Sequence, residues 1–347
     1  MRLLIFTQKV DSSDSVLGFF HSWLLEFAKK VDHVAVICLY KGEVSLPDNV
    51  NVYSLGKESG VSKLSYLINL FRHVHKLSGS YDRVFIHMNP IYLVLCGLYF
   101  KAKGIKTYLW YVHRSVDFKL RIATMFADKV FSSTKESFKI NTNKVVCLGH
   151  GVDTNILSYT SHLYTGKTLR IAHIGRITKI KNIETLIDAG YQLKQKGLDV
   201  EIVLFGECAT EVDKNYKDSL QKMIEEKSMK NNVQFAGSVL YRDLPARLFN
   251  CHITVNLAPR GGMDKAVLES ILLGMPAFVS NTAFTGVLGE YVDLFLYKHN
   301  DSLDLAEKIY SFIFTAHDQY ILEALNTRVR KEYGLGRLIE KIILEMK

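Results

Sequence analysis

The sequence predicts an α/β protein made of two Rossmann-like lobes, each built on a parallel sheet, with the two sheets facing a cleft. Short apolar stretches of strand length alternate with longer stretches of helical periodicity along the whole chain. The chain has 347 residues, which is long for one hydrophobic core and suits two cores of roughly 150 residues each. A polar stretch at residues 158–167 is the predicted linker between the lobes.

The first lobe is predicted at residues 1–160. Its strands are predicted at residues 2–7, 33–40, 83–87, 106–112, 129–132 and 144–148, and its helices at residues 17–30, 63–77, 91–103 and 118–127. The second lobe is predicted at residues 161–334 and repeats the alternation. Its strands are predicted at residues 169–174, 200–205, 233–236, 253–257, 277–279 and 294–297, and its helices at residues 183–196, 213–227, 244–249, 265–273, 302–315 and 319–331. A last helix, within residues 335–347, is predicted to pack back on the first lobe.

Composition indicates a folded protein with reduced thiols. Hydrophobic residues make up 48% of the chain and there are only 5 prolines, which argues against extensive disorder. The 5 cysteines are scattered without a C-x-x-C pair, as expected of free thiols in a reducing cytoplasm. The first residues enter a strand without a signal-peptide pattern, and the longest apolar stretches are about half of the ~20 residues that a spanning helix needs. We therefore expect a soluble, cytoplasmic protein.

The net charge of +9 is concentrated in the first half of the chain. Residues 1–165 carry 20 Lys and Arg against 12 Asp and Glu, whereas residues 166–347 carry 24 against 23. A basic first lobe predicts an anionic partner, either lipid on the inner face of the cell membrane or a lipid-linked phosphate. A scattered, solvated surface charge is the alternative interpretation. Nucleic acid is not expected, because no aromatic-rich binding signature or compact basic run accompanies the charge.

One segment carries the clearest functional signal. The apolar strand at residues 169–174 runs into Gly175, Arg176 and Lys181, and an amphipathic helix follows. Both cations stand at the carboxyl end of a strand and near a helix N-terminus, where open α/β sheets bind their ligands. Positive charge at that helix end opposes the helix dipole unless an anion is bound. Two fixed cations beside free backbone N–H groups predict a diphosphate site.

A second segment, residues 259–276, adds to this site. Gly261 and Gly262 precede a predicted helix, and their backbone N–H groups could contact phosphate. Glu269 lies in the second turn of that helix among apolar neighbours. A carboxylate in such a run needs a polar partner, and we expect that partner to be a ribose. A flexible turn and an exposed helix glutamate are the structural alternatives.

Several short motifs, in this order and spacing, resemble the retaining glycosyltransferases of family 4 (glycosyl transferases group 1), which have the GT-B fold. The motifs are Trp110-Tyr-Val-His113, Ala127-Asp-Lys-Val-Phe-Ser-Ser133, Gly149-His-Gly-Val-Asp153, Gly175-Arg176 with Lys181, Val233-Gln-Phe-Ala-Gly237, Leu268-Glu269 and Gly274-Met-Pro276. Each motif is weak by itself, whereas the ordered set is specific. The resemblance covers nearly the whole chain and is strongest in residues 145–290.

The resemblance implies a hexosyltransferase-type enzyme that moves a sugar from a nucleotide-diphosphate sugar to an acceptor hydroxyl, without a metal ion or other cofactor. The acceptor would be a glycan or a lipid-linked molecule in cell-surface polysaccharide or glycolipid assembly. Arg176 and Lys181 would hold the diphosphate, and His113 would reach the donor sugar from the opposing lobe. The other donor-binding positions are Glu269 at the ribose, Val239 and Leu240 at the base, and Gly18, Gly206, Gly261, Gly262, Met263, Asp264 and Lys265.

Two departures from the family pattern concern the donor sugar. The family usually carries a second glutamate eight positions before the one that matches Glu269, and this chain has Gly261 there. Asp264 and Lys265 are the candidates for the missing sugar contact. The loop after the first strand usually carries paired glycines, and here Gly18 stands alone.

Three other functions stay open at this point. An epimerase or phosphorylase with the same fold would share the diphosphate clamp. A nucleotide-binding subunit without activity is compatible with the loss of the second glutamate. A nicotinamide-dependent dehydrogenase fits poorly, because no G-x-G-x-x-G follows either candidate strand. The 12 histidines show no metal-ligand spacing.

Overall fold

The computed structural model describes residues 1–14, 16–113, 115–160, 162, 164–259, 262–314 and 318–347. The chain divides into two compact units, each with its own parallel sheet. The first unit comprises Met1–Asp153 and Leu335–Lys347, and the second comprises Thr154–Gly334. Within the described ranges, no helix is long and apolar enough to cross a membrane.

The first unit is a seven-stranded sheet in which every pair of neighbouring strands is parallel. Its elements are β1 (Arg2–Val10), α1 (Phe19–Ala28), β2 (His33–Lys41), β3 (Val50–Ser54), α2 (Lys63–Lys76), β4 (Arg83–His87), α3 (Ile91–Ala102), β5 (Lys106–Trp110), α4 (Phe118–Phe126), β6 (Lys129–Ser132) and β7 (Val145–Cys147). The strand order is β3-β2-β1-β4-β5-β6-β7, so β1 is inside the sheet. Its residues Leu3 to Phe6 are fully buried, as expected of a parallel strand covered on both faces.

The second unit is a five-stranded parallel sheet in the order β10-β9-β8-β11-β12. Its elements are β8 (Leu169–Ile174), α5 (Ile183–Gln195), β9 (Val200–Phe205), α6 (Glu211–Glu226), β10 (Val233–Gly237), α7 (Leu244–Leu248), β11 (Ile253–Asn256), α8 (Lys265–Leu272), β12 (Ala277–Val279), α9 (Thr285–Leu288), α10 (Val292–Phe295), α11 (Ser302–Ile313) and α12 (Asp318–Tyr333). The strands run the same way, so their carboxyl ends lie at one edge of the sheet. The loops that carry Arg176 and Gly206 follow β8 and β9 at that edge.

The last helix, α13 (Leu335–Met346), packs in the first unit. Its apolar side enters the same core as Trp23 and Phe27 of α1. A Cβ at Gly151 would lie 2.8 Å from the Leu338 side chain, so the chain passes very close to this helix. The helix is also tied at its end, because the Tyr108 hydroxyl donates to the carbonyl of Met346.

Three sequence predictions differ from the structure. The predicted strand at 294–297 is wrong: the helix α10 occupies its first half, and only Leu296 forms a bridge, with Val279. The edge strand β3 was not predicted, because it is short and includes polar Asn51 and Ser54, and so lacks the continuous apolar run of an inner parallel strand. The boundary between the units falls after Asp153 and not after residue 160. The reason is that Arg330 in α12 donates to the carbonyls of Thr154 and Leu157 and holds this stretch in the second unit.

Candidate functional site

Three glycines bring the carboxyl ends of β8, β9 and β10 close together in the second unit. The Gly175 N–H donates to the Phe205 carbonyl, and the Gly206 N–H donates to the Gly237 carbonyl. A Cβ at Gly206 would lie 1.9 Å from the Gly175 carbonyl oxygen, and Gly206 has a φ of +151°. Any side chain at position 206 would therefore separate the two loops. Gly206 shapes this edge of the sheet by having no side chain.

Lys181 and Asp264 form an ion pair next to these loops. The Lys181 ammonium lies 2.5 Å from Oδ2 of Asp264, and both side chains are largely buried. The Asn256 side-chain amide donates to the same oxygen at 3.0 Å. Burial opposes ionisation of Asp264, but the charge and hydrogen bond of Lys181 and the bond from Asn256 outweigh it, and the pKa of Asp264 falls below its usual value.

His173 lies near this pair, inside the sheet. The ring is fully buried in β8, and its Nδ1 lies 3.1 Å from the Val255 carbonyl oxygen. Its Nε2 has no hydrogen-bond partner among the described residues and lies on the Gly175 side, where the end of the Lys181 side chain also lies. Burial, with help from Lys181, lowers the pKa of His173 to about 4, so the ring is neutral. When Nδ1 of the neutral ring donates to the Val255 carbonyl, Nε2 carries no proton and can only accept a hydrogen bond.

Arg176 differs from Lys181 in its surroundings. It follows Gly175 directly, its side chain is exposed, and no hydrogen bond or ion pair holds it within the described part of the chain. Lys181, by contrast, is already paired with a carboxylate. The two cations predicted from the sequence therefore differ in their partners. Arg176 is available to an anion, whereas Lys181 would have to share its charge between Asp264 and that anion.

The start of α8 places three ionisable groups within six residues. Asp264 caps the helix by accepting from the Ala266 N–H, and Lys265 and Glu269 are one turn apart. Burial raises the pKa of Glu269 to about 7, although the positive charge of Lys265 lowers it. Burial also lowers the pKa of Lys265, against the effect of Glu269. Glu269 is only partly exposed and is poised to change charge near neutral pH.

The loop before α8 is held at one described point. The Asn281 side-chain amide donates to the Gly262 carbonyl at 3.3 Å, and Asn281 is itself buried. Met263 follows, partly exposed. Gly261, the residue in place of the family's second glutamate, lies outside the described residues.

The segment predicted at the base follows β10. Val239 and Leu240 are both partly exposed there. The neighbouring Ser238 donates from its hydroxyl to Oε1 of Glu207 at 3.1 Å, and Glu207 also accepts from the Ile177 N–H through its carbonyl. Glu207 thus links the loops after β8, β9 and β10, and sequence reasoning did not identify it.

His173 and Asn256 were also missed as members of this site. The signal for both was present in the sequence, since each is a polar residue in or at the end of a largely apolar strand. Polar residues of this kind also occur as ordinary hydrogen-bonded groups of a core, so the pattern alone does not separate a site residue from a core residue.

The remaining two candidates, Gly18 and His113, belong to the first unit. Gly18 precedes α1, and a Cβ there would lie 2.4 Å from the Asp14 carbonyl oxygen. In the loop before it, Asp14 accepts from Lys9 of β1 at 2.6 Å. His113 is exposed beyond β5, and its Nδ1 accepts from the Ser115 N–H. Among the described residues no group of three or more His, Cys, Asp or Glu could hold a metal ion.

Comparison with known proteins finds similarity to glycosyltransferases. Residues 161–320 match the family model of glycosyl transferases group 1. Over 229 residues the chain is 24% identical to a putative colanic acid biosynthesis glycosyltransferase, WcaL, of Salmonella typhimurium. The alignment covers 63% of this chain and 52% of WcaL. It is also 24% identical to the capsular polysaccharide biosynthesis glycosyltransferase CapM of Staphylococcus aureus, over 66% of this chain and 61% of CapM. The aligned part thus spans about half to three fifths of these relatives.

The fold comparison extends over the full chain. The crystal structure of HepE of Anabaena in complex with UDP-glucose superposes on this chain with a TM-score of 0.72 at 16% sequence identity. The superposition covers 100% of this chain and 99% of HepE. The protein has the GT-B fold, with two parallel-sheet α/β units. The match to the group 1 glycosyltransferase model lies within its second unit.

Proposed function

We propose that this protein is a glycosyltransferase that moves a sugar from a UDP-sugar to an acceptor hydroxyl in cell-surface polysaccharide assembly. The observation that carries the proposal is the pair of cations, Arg176 and Lys181, at the carboxyl end of β8 within the segment that matches group 1 glycosyltransferases. The choice of UDP is supported by HepE, which was solved with UDP-glucose. The choice of pathway is supported by the names of WcaL and CapM.

Breaking the bond between sugar and diphosphate leaves negative charge on the phosphate oxygens. Arg176 can approach that charge directly, since it is exposed and unpaired within the described ranges. Lys181 can share its ammonium between Asp264 and phosphate, and the start of α8 adds backbone N–H groups. Preorganised charges of this kind supply much of the rate enhancement in many enzymes, and here they would replace a metal ion.

The remaining residues take roles at the nucleoside and the sugar. Glu269 would accept from the ribose hydroxyls, and the backbone at Val239 and Leu240 would contact the base. Asp264 and Lys265 would contact the donor sugar, with His113 acting from the first unit. No side chain in this set is a well-placed nucleophile, so attack by the acceptor on the same face as the leaving group, with retention, is the proposed course.

The acceptor is proposed to be a glycan or a lipid-linked molecule, reached at the inner face of the cell membrane from the cytoplasm. The basic character of the first 165 residues supports an anionic partner there.

The test combines UDP affinity by calorimetry with UDP release from UDP-sugars. Arg176→Ala and Lys181→Ala are each expected to lower turnover at least about 100-fold, because each loses one preorganised charge donor. Lys179→Ala is the matched control, because Lys179 lies in the same turn but is exposed and paired with Glu184. Near-normal turnover in both site variants, with the control unaffected, would refute the diphosphate assignment.

A panel of UDP, GDP and ADP separates the remaining alternatives. Binding raises apparent stability, so the preferred base gives the largest thermal shift. Conversion of the donor sugar without acceptor would favour an epimerase or phosphorylase. Binding without any turnover, with every acceptor offered, would favour an inactive nucleotide-binding subunit. Chelation with EDTA is expected to leave turnover unchanged.

A further inference from the structure

Helices α2, α3 and α4 of the first unit share an unusual composition. They contain 14, 12 and 9 residues, and among these there is no Asp or Glu. They carry six cations, all on exposed positions: Lys63, Arg72, Lys76, Lys101, Lys119 and Arg121. Soluble surface helices normally mix both signs of charge. The three helices are therefore strongly cationic, although an exposed carboxylate, Asp117, caps the start of α4.

The three helices lie on one face of the sheet. Their inward residues join a single core, with Leu70 of α2, Leu93 of α3 and Leu120 of α4 all buried in it. Helix α1, by contrast, packs in the core on the other face, with α13. The outward sides of α2, α3 and α4 therefore lie on the same face of this unit, where α3 and α4 pack against each other, and this surface is called here the α2–α4 layer.

The α2–α4 layer also exposes large apolar side chains. Each helix has a stripe of them at helical spacing, with exposed fractions between 37% and 76%: Leu64, Ile68 and Phe71 on α2, Leu95 and Leu98 on α3, and Phe118 and Met125 on α4. These residues do not build the core, since the opposite side of each helix already does so. Seven large apolar side chains exposed on one face of the unit indicate a surface that is covered in use.

We propose that the α2–α4 layer docks on an anionic lipid bilayer. Apolar tips such as Leu98, Phe118 and Met125 would enter the boundary between headgroups and acyl chains, and the six cations would contact lipid phosphates. The inference deepens the proposed function and rests on it for the biological role of the contact, namely access to a lipid-linked acceptor. The contact itself rests on the composition and exposure of the three helices.

Charge complementarity favours a bilayer over a second copy of this chain. A two-fold dimer through the same layer would bring its cations against those of the partner, with no carboxylate on these helices to pair with them. Anionic headgroups offer the opposite charge across a wide, flat area. Long Lys and Arg side chains can keep their charges at headgroup level while neighbouring apolar residues insert.

The experiment is co-sedimentation of the full chain with phosphatidylcholine vesicles, with and without phosphatidylglycerol. Binding is expected only with phosphatidylglycerol, and it should fall with added salt. Two layer variants are tested: Ile68→Ser with Leu98→Ser and Met125→Ser, and Lys101→Glu with Arg121→Glu. Each is expected to weaken vesicle binding at least about tenfold.

Matched controls lie on exposed positions of the second unit. Val212→Ser with Leu303→Ser removes apolar side chains of similar exposure, and Lys222→Glu with Lys230→Glu reverses two cations. Both controls should bind vesicles as the unmodified chain does.

Equal binding to neutral and anionic vesicles, no binding to either, or unchanged binding by the layer variants would overturn the proposal. So would a dimer in sedimentation velocity that the apolar variant abolishes, without vesicle binding. UDP affinity is measured on every variant, so failure of the docking surface and failure of the donor site are distinguished.

Discussion

Asp264 connects the two segments that the sequence marks as functional. It accepts from Lys181, which follows β8, and from Asn256, which ends β11, and it caps α8. Because the pair is largely buried, removing either partner leaves the other charge poorly solvated. The pair holds the Lys181 ammonium in place before any diphosphate arrives. It also reduces the positive potential that a diphosphate meets.

Asp264→Asn separates these two effects. Asparagine caps a helix as well as aspartate, so the fold should be kept. Losing the negative charge should tighten the binding of free UDP about fivefold, since a partly buried charge pair is worth roughly 1 kcal/mol. Turnover of the UDP-sugar should fall, because Asp264 would no longer orient Lys181 or contact the sugar. Calorimetry and UDP release measure the two quantities. Asp218→Asn, an exposed change on α6, should alter neither.

Glu269 should make UDP affinity depend on pH. Its pKa is raised from 4.5 to about 7, so its ionised fraction grows through neutrality. Ribose hydroxyls donate best to the ionised form, so UDP should bind about tenfold more tightly at about pH 8 than at about pH 6. Glu269→Gln should remove that part of the pH dependence, leaving only the titration of UDP itself. Identical pH profiles of the two proteins in calorimetry would contradict the ribose assignment.

The same shift in pKa affects folding with a definite sign. The folded state holds the Glu269 proton more tightly than the unfolded chain does. Its contribution to the free energy of unfolding is therefore present at low pH and is lost as pH rises from about 4.5 to about 7. Glutamine at position 269 has no such dependence. A site that costs stability when it is charged is typical of a site that binds a partner.

At the level of elements, α13 completes the first unit. Its buried side chains, Leu335, Leu338, Ile339, Ile342, Ile343 and Met346, lie in one core with α1 and the sheet. Without them, the Trp23 side of α1 would lose much of its cover. The helix is therefore a structural part of a unit to which it is not adjacent in sequence.

Leu338→Ala should destabilise the first unit by about 2–5 kcal/mol, the usual cost of a Leu-to-Ala cavity. The two tryptophans, Trp23 and Trp110, both lie in this unit with ring centroids 5.1 Å apart, so tryptophan fluorescence during denaturation reports on it alone. Leu344→Ala is the matched control on the same helix, because Leu344 is 70% exposed. A fluorescence midpoint that moves equally in both variants would show that α13 does not stabilise the core in this way. UDP affinity should be unchanged in both.

At the scale of the whole molecule, charge follows the division into units. Met1–Asp153 with Leu335–Lys347 carry 23 Lys and Arg against 14 Asp and Glu, whereas Thr154–Gly334 carries 21 of each. The net charge of +9 therefore belongs entirely to the first unit. That unit holds the α2–α4 layer, and the neutral unit holds the cations of the proposed diphosphate site. Attraction to an anionic surface would thus act on the unit that carries the docking layer.

The sequence by itself determined the local features of this protein. Alternating apolar runs predicted two parallel sheets, because strand and helix periodicity are set by neighbouring residues. The anion site at a strand end was also predicted from neighbouring residues, namely Gly175, Arg176 and the helix that follows them. A last helix was predicted within residues 335–347, and the structure places α13 at Leu335–Met346.

Only the tertiary structure decided which distant residues meet. Lys181 and Asp264 are 83 residues apart in sequence, and their pairing depends on β8 and β11 being neighbours in the sheet. Composition marked the basic first half of the chain, but the α2–α4 layer required knowing which sides of three helices stay exposed. The strand predicted at 294–297 failed because α10 bonds the Leu296 N–H to the Val292 carbonyl. Contacts and exposure are settled by the packing of whole elements, and local sequence does not record that packing.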